Sequence, residues 1–149
     1  MKTLKLLSFI NIFLCLTLIS TTNTFAHKGA TGIVKERMDK FKESKQLMKK
    51  INSGLQNENF KVIEESAQML LLWSKEMHNF FPEGSDVSPS EASSDIWLNP
   101  EDFNKAIKNF ELASLKLINQ SNTNDRDNTI NAFRNLASTC KGCHEKFRN

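Results

Sequence analysis

The sequence predicts an all-α fold, an antiparallel four-helix bundle. Four stretches carry apolar residues at intervals of three or four, which is the period of an amphipathic helix. No segment shows the alternating Val, Ile and Thr pattern that is typical of a strand. The chain has 149 residues with only five Gly and three Pro, a composition that excludes collagen-like and disordered architectures.

Residues 1–26 predict a signal peptide that is removed from the mature protein. Lys2 and Lys5 precede an apolar run over residues 6–19, and Thr24-Phe25-Ala26 offers a small-residue cleavage site. The run is too short to span a bilayer comfortably, and a retained membrane anchor is the alternative. We therefore expect export to the periplasm, cleavage after Ala26 and no membrane association afterwards.

The predicted mature domain covers residues 27–149, which is enough for one hydrophobic core. Cleavage discards Cys15, so Cys140 and Cys143 become the only thiols. The formal net charge falls from +3 to +1 because Lys2 and Lys5 are lost. Such a balance gives no argument for nucleic acid as a partner.

The first helix is predicted over residues 32–53 and the second over residues 58–81. Both carry apolar residues at helical spacing, and Pro82 ends the second. Their methionines at positions 48, 69 and 77 are assigned to the core.

The third helix has a strong start signal. Asn99 is the predicted N-cap, Pro100 occupies the first turn, and Glu101 and Asp102 follow at the positive end of the helix dipole. The helix is predicted to run to about Asn119. The preceding loop, residues 82–98, is long, and its Ile96-Trp97 pair is expected to fix it to the bundle.

The fourth helix, predicted over residues 127–147, contains the sequence Cys140-Lys141-Gly142-Cys143-His144. Cys-x-x-Cys-His is the attachment motif of a c-type haem. The two thiols can form thioether bonds with the haem vinyl groups, and the histidine can bind the iron through a neutral imidazole nitrogen. Cys140 and His144 are four residues apart, so they share one helix face. The motif predicts one covalent haem c in the bundle core.

Three other interpretations of the cysteine pair agree less well with the sequence. A chance match is not expected in an exported helical chain with the right apolar spacing around the motif. A redox dithiol needs a βαβ context, which the sequence lacks. A zinc site would need further ligands, but the mature chain has no other cysteine, and His27 and His78 lie far apart in the sequence.

The chain resembles the cytochrome c′ (class II cytochrome c) family over essentially all of the mature sequence. The resemblance rests on the carboxy-terminal motif and on three further segments, Val34-Lys35-Glu36-Arg37-Met38-Asp39-Lys40-Phe41, Phe81-Pro82-Glu83-Gly84 and Asp95-Ile96-Trp97-Leu98-Asn99-Pro100-Glu101-Asp102-Phe103. It implies a periplasmic bacterial haem protein, commonly dimeric, that is linked to electron transfer and to binding of nitric oxide or carbon monoxide.

The same resemblance assigns roles to individual residues. Cys140 and Cys143 match the thioether positions, and His144 matches the proximal ligand. Arg148 matches an arginine beside the proximal haem face, and Arg37 matches one that tends to lie near a haem propionate.

The resemblance places Phe41 over the distal face of the haem, which implies a five-coordinate iron. The identity of a sixth iron ligand stays open because of Met38. It lies three residues earlier, about 60° around the helix and roughly 4.5 Å along it, so a slight shift could bring its sulfur to the iron.

Two functions remain open from the sequence. One is one-electron transfer with an unidentified redox partner protein, and the other is binding of a small gas ligand such as nitric oxide. An enzyme is not expected, because the sequence shows no distal His–Arg pair suited to peroxide cleavage. A homodimer is expected from the resemblance alone.

Overall fold

The computed structural model describes residues 29–149. The predicted signal peptide, Cys15 and His27 lie outside the described residues. Five α-helices follow one another: α1 (Gly32–Gln56), α2 (Phe60–Glu76), the short α3 (Asp95–Leu98), α4 (Pro100–Ser121) and α5 (Arg126–Phe147). Between residues 29 and 149 there is no strand, only an isolated antiparallel bridge between Ala92 and Arg148. The predicted all-α four-helix bundle is confirmed.

The four long helices do not pack equally against one another. α1 packs along α2, α2 along α4 and α4 along α5, whereas α1 and α5 make few contacts. Large apolar side chains at the packed interfaces are fully buried, among them Ile51, Ile63, Leu70, Leu117 and Leu136. The bundle is therefore open along one side, and we call this opening the α1–α5 cleft.

The predicted second helix is two elements in the structure. α2 ends at Glu76, and a 3-10 turn, Met77–Phe80, continues it toward Pro82. At the other end, the side chain of Asn59 accepts a hydrogen bond from the Val62 N–H at 3.2 Å. Asn59 is thus a side-chain N-cap that the sequence prediction, which began the helix at residue 58, did not assign.

The predicted cap of α4 has the right position but not the expected hydrogen bond. Asn99 precedes Pro100, and its carbonyl accepts the Phe103 N–H at 3.1 Å. Its side chain makes no capping hydrogen bond, while Glu101 and Asp102 occupy the first turn as expected. The charge of these two residues, rather than a side-chain cap, favours this helix start.

α5 begins with a side-chain cap at Asp125. Its carboxylate accepts the Asn128 N–H at 3.0 Å and the Asn128 side-chain amide at 2.7 Å. These hydrogen bonds, the backbone one first, hold the pKa of Asp125 below its usual range.

Acidification is expected to weaken this cap. Because the folded-state pKa of Asp125 is depressed, its stabilising contribution is present above the unfolded pKa and is lost as the pH falls through the folded value. We expect the melting temperature of wild type to fall more steeply than that of Asp125→Asn between about pH 5 and pH 3, since Asn keeps the cap acceptor without titrating. Parallel slopes for the two proteins would contradict this assignment.

The three methionines assigned to the core do not all lie there. Met77 is buried and Met48 packs half-buried against the core. Met69 is 46% exposed, so its assignment was wrong. It lies on the outer face of α2, three residues before the exposed Leu72, and exposed apolar side chains are common on protein surfaces.

Gly54 allows α1 and α2 to approach closely. A Cβ built on Gly54 would lie 2.8 Å from Ile63 Cγ1 and 3.2 Å from the Asn59 carbonyl oxygen. A side chain at this position would therefore collide with the start of α2.

We expect Gly54→Ala to destabilise the protein despite the better helix propensity of alanine. Crowding at a packed position costs about 1–3 kcal/mol, whereas the propensity gain is about 1 kcal/mol. Urea unfolding of Gly54→Ala should show a lower midpoint, and Asn52→Ala, an exposed change in the same turn, should not. A raised midpoint for Gly54→Ala would show that Ile63 yields without cost.

The loop over residues 82–98 is fixed to the bundle, as the sequence predicts. Ile96 is 3% exposed, and Trp97 Nε1 donates to the Phe81 carbonyl at 3.1 Å. The loop is also tied to the end of α5, because the Ser93 N–H donates to the Phe147 carbonyl at 3.0 Å. It thus connects α2 to the carboxy-terminal turn that carries the cysteine and histidine motif.

No helix between residues 29 and 149 combines the length and the apolar character that crossing a bilayer requires.

Candidate functional site

α5 carries two apolar stripes that differ in burial. Thr129, Ala132, Leu136 and Phe147 are buried in the bundle. The second stripe is only half-buried at Ile130, Phe133, Ala137 and Cys140, and His144 at its end is exposed. A half-buried apolar stripe beside the α1–α5 cleft is a surface that a flat apolar group could cover.

α1 presents the opposite wall of the cleft. Met38, Phe41 and Met48 are half-buried, in contrast to the buried Leu47 and Ile51 on the core side. The Phe41 ring centroid lies 6.4 Å from that of the His144 imidazole, with the rings inclined at 72°. The structure therefore brings Phe41 and His144 together, on opposite walls of the cleft.

Phe41 belongs to a cluster of aromatic rings. Its centroid is 5.6 Å from Trp73 and 6.3 Å from Phe81, both in edge-to-face geometry. Trp73 in turn contacts Phe80 at 5.0 Å. Each such contact favours one ring orientation, so the position of Phe41 is defined by α2 and by the turn that follows it.

Both thiols of the motif are partly buried and uncharged at neutral pH. Burial raises the pKa of Cys140, and burial together with the neighbouring Cys140 raises the pKa of Cys143 to about 11. Both sulfurs therefore keep their protons at neutral pH, so neither thiol is activated as a thiolate in this environment. In the described part of the chain, no group of three or more His, Cys, Asp or Glu side chains could hold a metal ion.

The imidazole of His144 is favoured in its neutral form. Partial burial and then the positive charge of Arg148 lower the pKa of His144, and Glu91 opposes them. A neutral imidazole has the free lone pair that iron ligation requires. His144 thus has the charge state of a metal ligand without any metal bound.

Arg148, predicted beside the proximal face, is held by Glu91. The Arg148 Nε donates to Glu91 Oε2 at 2.6 Å, and Nη2 forms an ion pair with the same carboxylate. The Arg148 backbone N–H donates to the His144 carbonyl at 3.2 Å. The structure therefore places Arg148 next to His144, with its guanidinium directed to the loop over residues 82–98.

Arg37 is buried, and its terminal nitrogens all donate to protein oxygens. Nη1 donates to the Phe80 carbonyl at 2.9 Å and to Ser85 Oγ at 2.8 Å. Nη2 donates to the Ser85 carbonyl at 2.6 Å and to Ser90 Oγ at 2.8 Å. Contact with a haem propionate stays a prediction for Arg37, and in this arrangement only its Nε–H remains for it.

A groove of about 610 Å³ lies between α4 and α5, on another side of Cys143. Its lining includes charged and amide side chains from both helices, such as Lys105, Asn109, Lys116 and Asn135. A large apolar ring would strip water from these polar groups, which is costly. The α1–α5 cleft, with its apolar stripes, fits such a group better.

Comparison with known proteins decides the family. The family model described as Cytochrome C' matches residues 32–148. The chain belongs to the cytochrome c′ family. Members of this family are haem-binding proteins that are generally not enzymes. They are typically periplasmic, and a role in electron transport is consistent with the family.

Solved cytochrome c′ structures share the fold. The protein from Shewanella frigidimarina is 25% identical, with a TM-score of 0.72 over 78% of this chain and 94% of that chain. The protein from Thermochromatium tepidum is 23% identical, with a TM-score of 0.70 over 78% and 93%. A nitric oxide complex of a variant from Alcaligenes xylosoxidans is 20% identical, with a TM-score of 0.70 over 78% and 94%.

A relative found by sequence similarity matches a shorter part of the chain than these structures do. Cytochrome c-554 of Cereibacter sphaeroides is 38% identical over 71 residues, which are 46% of this chain and 46% of that protein. The match thus spans about half the length of the relative.

The residues of the cleft fit the haem that membership of the family implies. Half-buried apolar stripes on α1 and α5 could cover the two faces of a porphyrin, and His144 offers a neutral nitrogen between the protonated thiols and Phe41. A bound haem would supply an iron that changes its oxidation state by one electron.

Three features of the site were missed by the sequence analysis. Ser85 and Ser90, which accept from Arg37, lie in an irregular loop where no periodicity reports side-chain direction. Glu91, which holds Arg148, lies 57 residues before it. Trp73 was not assigned to the site either, although it contacts Phe41 and carries a buried N–H without a partner.

Proposed function

We propose that this member of the cytochrome c′ family holds one haem c, bonded covalently to Cys140 and Cys143, and transfers single electrons in the periplasm. His144 is the proximal iron ligand and Phe41 covers the distal face, so that the iron is five-coordinate. The opposition of Phe41 and His144 at 6.4 Å across the α1–α5 cleft supports this proposal most directly. Burial of the iron between apolar walls would tune its reduction potential.

Nitric oxide or carbon monoxide binding is the second candidate function. Phe41 offers no atom that can ligate iron, which leaves a sixth position behind an apolar ring. Such a position admits small uncharged molecules and disfavours charged ones. The fold is shared with a solved nitric oxide complex from Alcaligenes xylosoxidans, but at 20% identity the likeness concerns the fold.

Export is part of the proposal. Residues 1–26 direct the chain to the periplasm, and the mature protein begins at His27 after cleavage. An unidentified redox protein is the expected electron partner, and a second copy of the chain is the expected oligomeric partner.

The absorption spectrum and the mass of the mature protein, produced with a cytochrome c maturation system, test the proposal together. We expect a mass equal to residues 27–149 plus one haem that acid–acetone does not extract. The ferric and ferrous spectra should be high-spin and lack the methionine–iron charge-transfer band. Met38→Ala should leave both spectra unchanged.

Each contrary result has a defined meaning. A low-spin spectrum that becomes high-spin in Met38→Ala would show that Met38 ligates the iron, and would favour plain electron transfer over gas binding. A protein without covalent haem would overturn the proposal as a whole.

A further inference from the structure

Trp73 carries an unsatisfied hydrogen-bond donor inside the protein. The residue is 5% exposed, and among residues 29–149 its Nε1 is the one buried side-chain nitrogen or oxygen without a hydrogen-bond partner. Buried N–H groups that lack an acceptor are rare in folded proteins, because the donor loses water and gains nothing. The simplest explanation is that a bound group, rather than the polypeptide, supplies the hydrogen-bond acceptor for this N–H.

The other tryptophan shows the normal situation. Trp97 Nε1 donates to the Phe81 carbonyl at 3.1 Å. The two indoles thus lie near the same aromatic cluster, yet only Trp97 finds a protein oxygen.

Trp73 is placed next to the cleft that fits the haem. Its ring contacts Phe41, and Phe41 contacts His144. A group that enters between Phe41 and His144 therefore comes close to the indole. The only anionic oxygens that a haem brings with it are those of its two propionate carboxylates.

A carboxylate in this region has few other donors. The four terminal N–H bonds of Arg37 already point to Phe80, Ser85 and Ser90. A second cation beside the indole is Lys40, whose Nζ lies 5.8 Å from the Trp73 ring centroid. Its ion pair with Glu76 is loose, at 3.7 Å, so the ammonium is free to turn toward a second carboxylate.

We propose that the indole N–H of Trp73 is a hydrogen-bond donor to a haem propionate, with Lys40 as the cation that neutralises it. The proposal rests on the proposed function, since it requires the covalent haem. It gives Trp73 a binding role in addition to packing, and it frees Arg37 to serve mainly the loop over residues 82–98.

Ultraviolet resonance Raman spectroscopy of the haem-loaded ferrous protein, free of gas, tests the hydrogen bond. Because the chain has two tryptophans, Trp97→Phe leaves only the Trp73 signal and Trp73→Phe leaves only the Trp97 signal. We expect the N–H-sensitive band of Trp73 at the hydrogen-bonded position that Trp97 defines. If Trp97→Phe fails to accumulate, subtraction of the Trp73→Phe spectrum from that of wild type gives the same band.

The pH dependence of the reduction potential tests the identity of the acceptor. A donor to the carboxylate favours its charged form, so Trp73→Phe should move the propionate inflection to higher pH by about one unit. Lys40→Gln should move it in the same direction, and Trp97→Phe should not move it.

Three results would overturn the proposal. The first is a Trp73 band at the position of a free indole. The second is a Trp73 band that reaches the hydrogen-bonded position only after nitric oxide is added, since the acceptor would then be the gas ligand. The third is an unchanged propionate inflection in Trp73→Phe. Failure of the proposed function would look different, because the protein would then lack the haem absorption on which both measurements depend.

Discussion

Arg37→Met is expected to lower the free energy of unfolding by about 3 kcal/mol or more, the largest stability loss of the substitutions considered. Arg37 is 3% exposed and donates four hydrogen bonds to Phe80, Ser85 and Ser90. Its guanidinium also lies 4.4 Å from the Phe81 ring centroid. Methionine preserves much of the length but leaves four acceptor atoms without their donors, two of them buried on Ser85 and two partly buried on Phe80 and Ser90. Hydrogen bonds to a charged group contribute about 1.5–3 kcal/mol each before non-additivity.

Urea unfolding of the haem-loaded protein measures this loss, with an unchanged slope as the check on two-state behaviour. Lys45→Met is the matched control, because it removes a cation from an exposed position of the same helix and should shift stability by less than about 0.5 kcal/mol. Arg37→Lys should recover only part of the loss, since an ammonium cannot fork between Ser85 and Ser90. Equal midpoints for Arg37→Met and Lys45→Met would show that the loop is held without the arginine.

The long helices and the haem motif could be predicted from the sequence because both depend on the spacing of residues that are close together in the chain. Apolar residues at intervals of three and four defined the long helices to within a few residues, and Pro100 marked the start of α4. Cys140, Cys143 and His144 form a contiguous motif, so their common helix face follows from the helical period alone.

Contacts between segments that are far apart in the chain could not be predicted from the sequence. Ser85 and Ser90 reach Arg37 across 48 and 53 residues of chain, from a loop without periodic structure. Helix caps were also misjudged, since Asn99 fits the N-cap composition but does not bond through its side chain, whereas Asn59 and Asp125 do. Residue type favours a cap, but the backbone angles before the helix decide whether the side chain reaches the N–H groups.

The open side of the bundle explains why one apolar stripe of α5 is only half-buried. Ile130, Phe133 and Ala137 have the spacing of core residues, yet they are half-buried because α1 and α5 make few contacts. Periodicity shows which residues share a face, but it does not show whether protein or another group covers that face. The haem motif predicts from the sequence that a group other than protein covers it, and in the structure few contacts from α1 cover that face.

Phe41→Ala is expected to have the largest effect on ligand entry, accelerating carbon monoxide binding to the ferrous protein by about 10- to 100-fold. Before a ligand enters, the Phe41 ring must leave its edge-to-face contacts with Trp73 and Phe81. Two such contacts contribute about 1–3 kcal/mol beyond the area that they bury, and each 1.4 kcal/mol corresponds to a factor of about ten. Alanine removes both contacts and the obstruction.

Stopped-flow mixing of the ferrous protein with carbon monoxide measures the effect, and Met38→Ala is the matched control on the same wall of α1. Its rate should stay within about twofold of wild type if Phe41 alone covers the distal face. His144→Ala should abolish normal iron ligation whichever residue lies opposite. The opposite result, much faster carbon monoxide binding in Met38→Ala with little change in Phe41→Ala, would show that the methionine covers the distal face. A sulfur bound to the iron must dissociate before a gas can bind, so its removal would increase the rate.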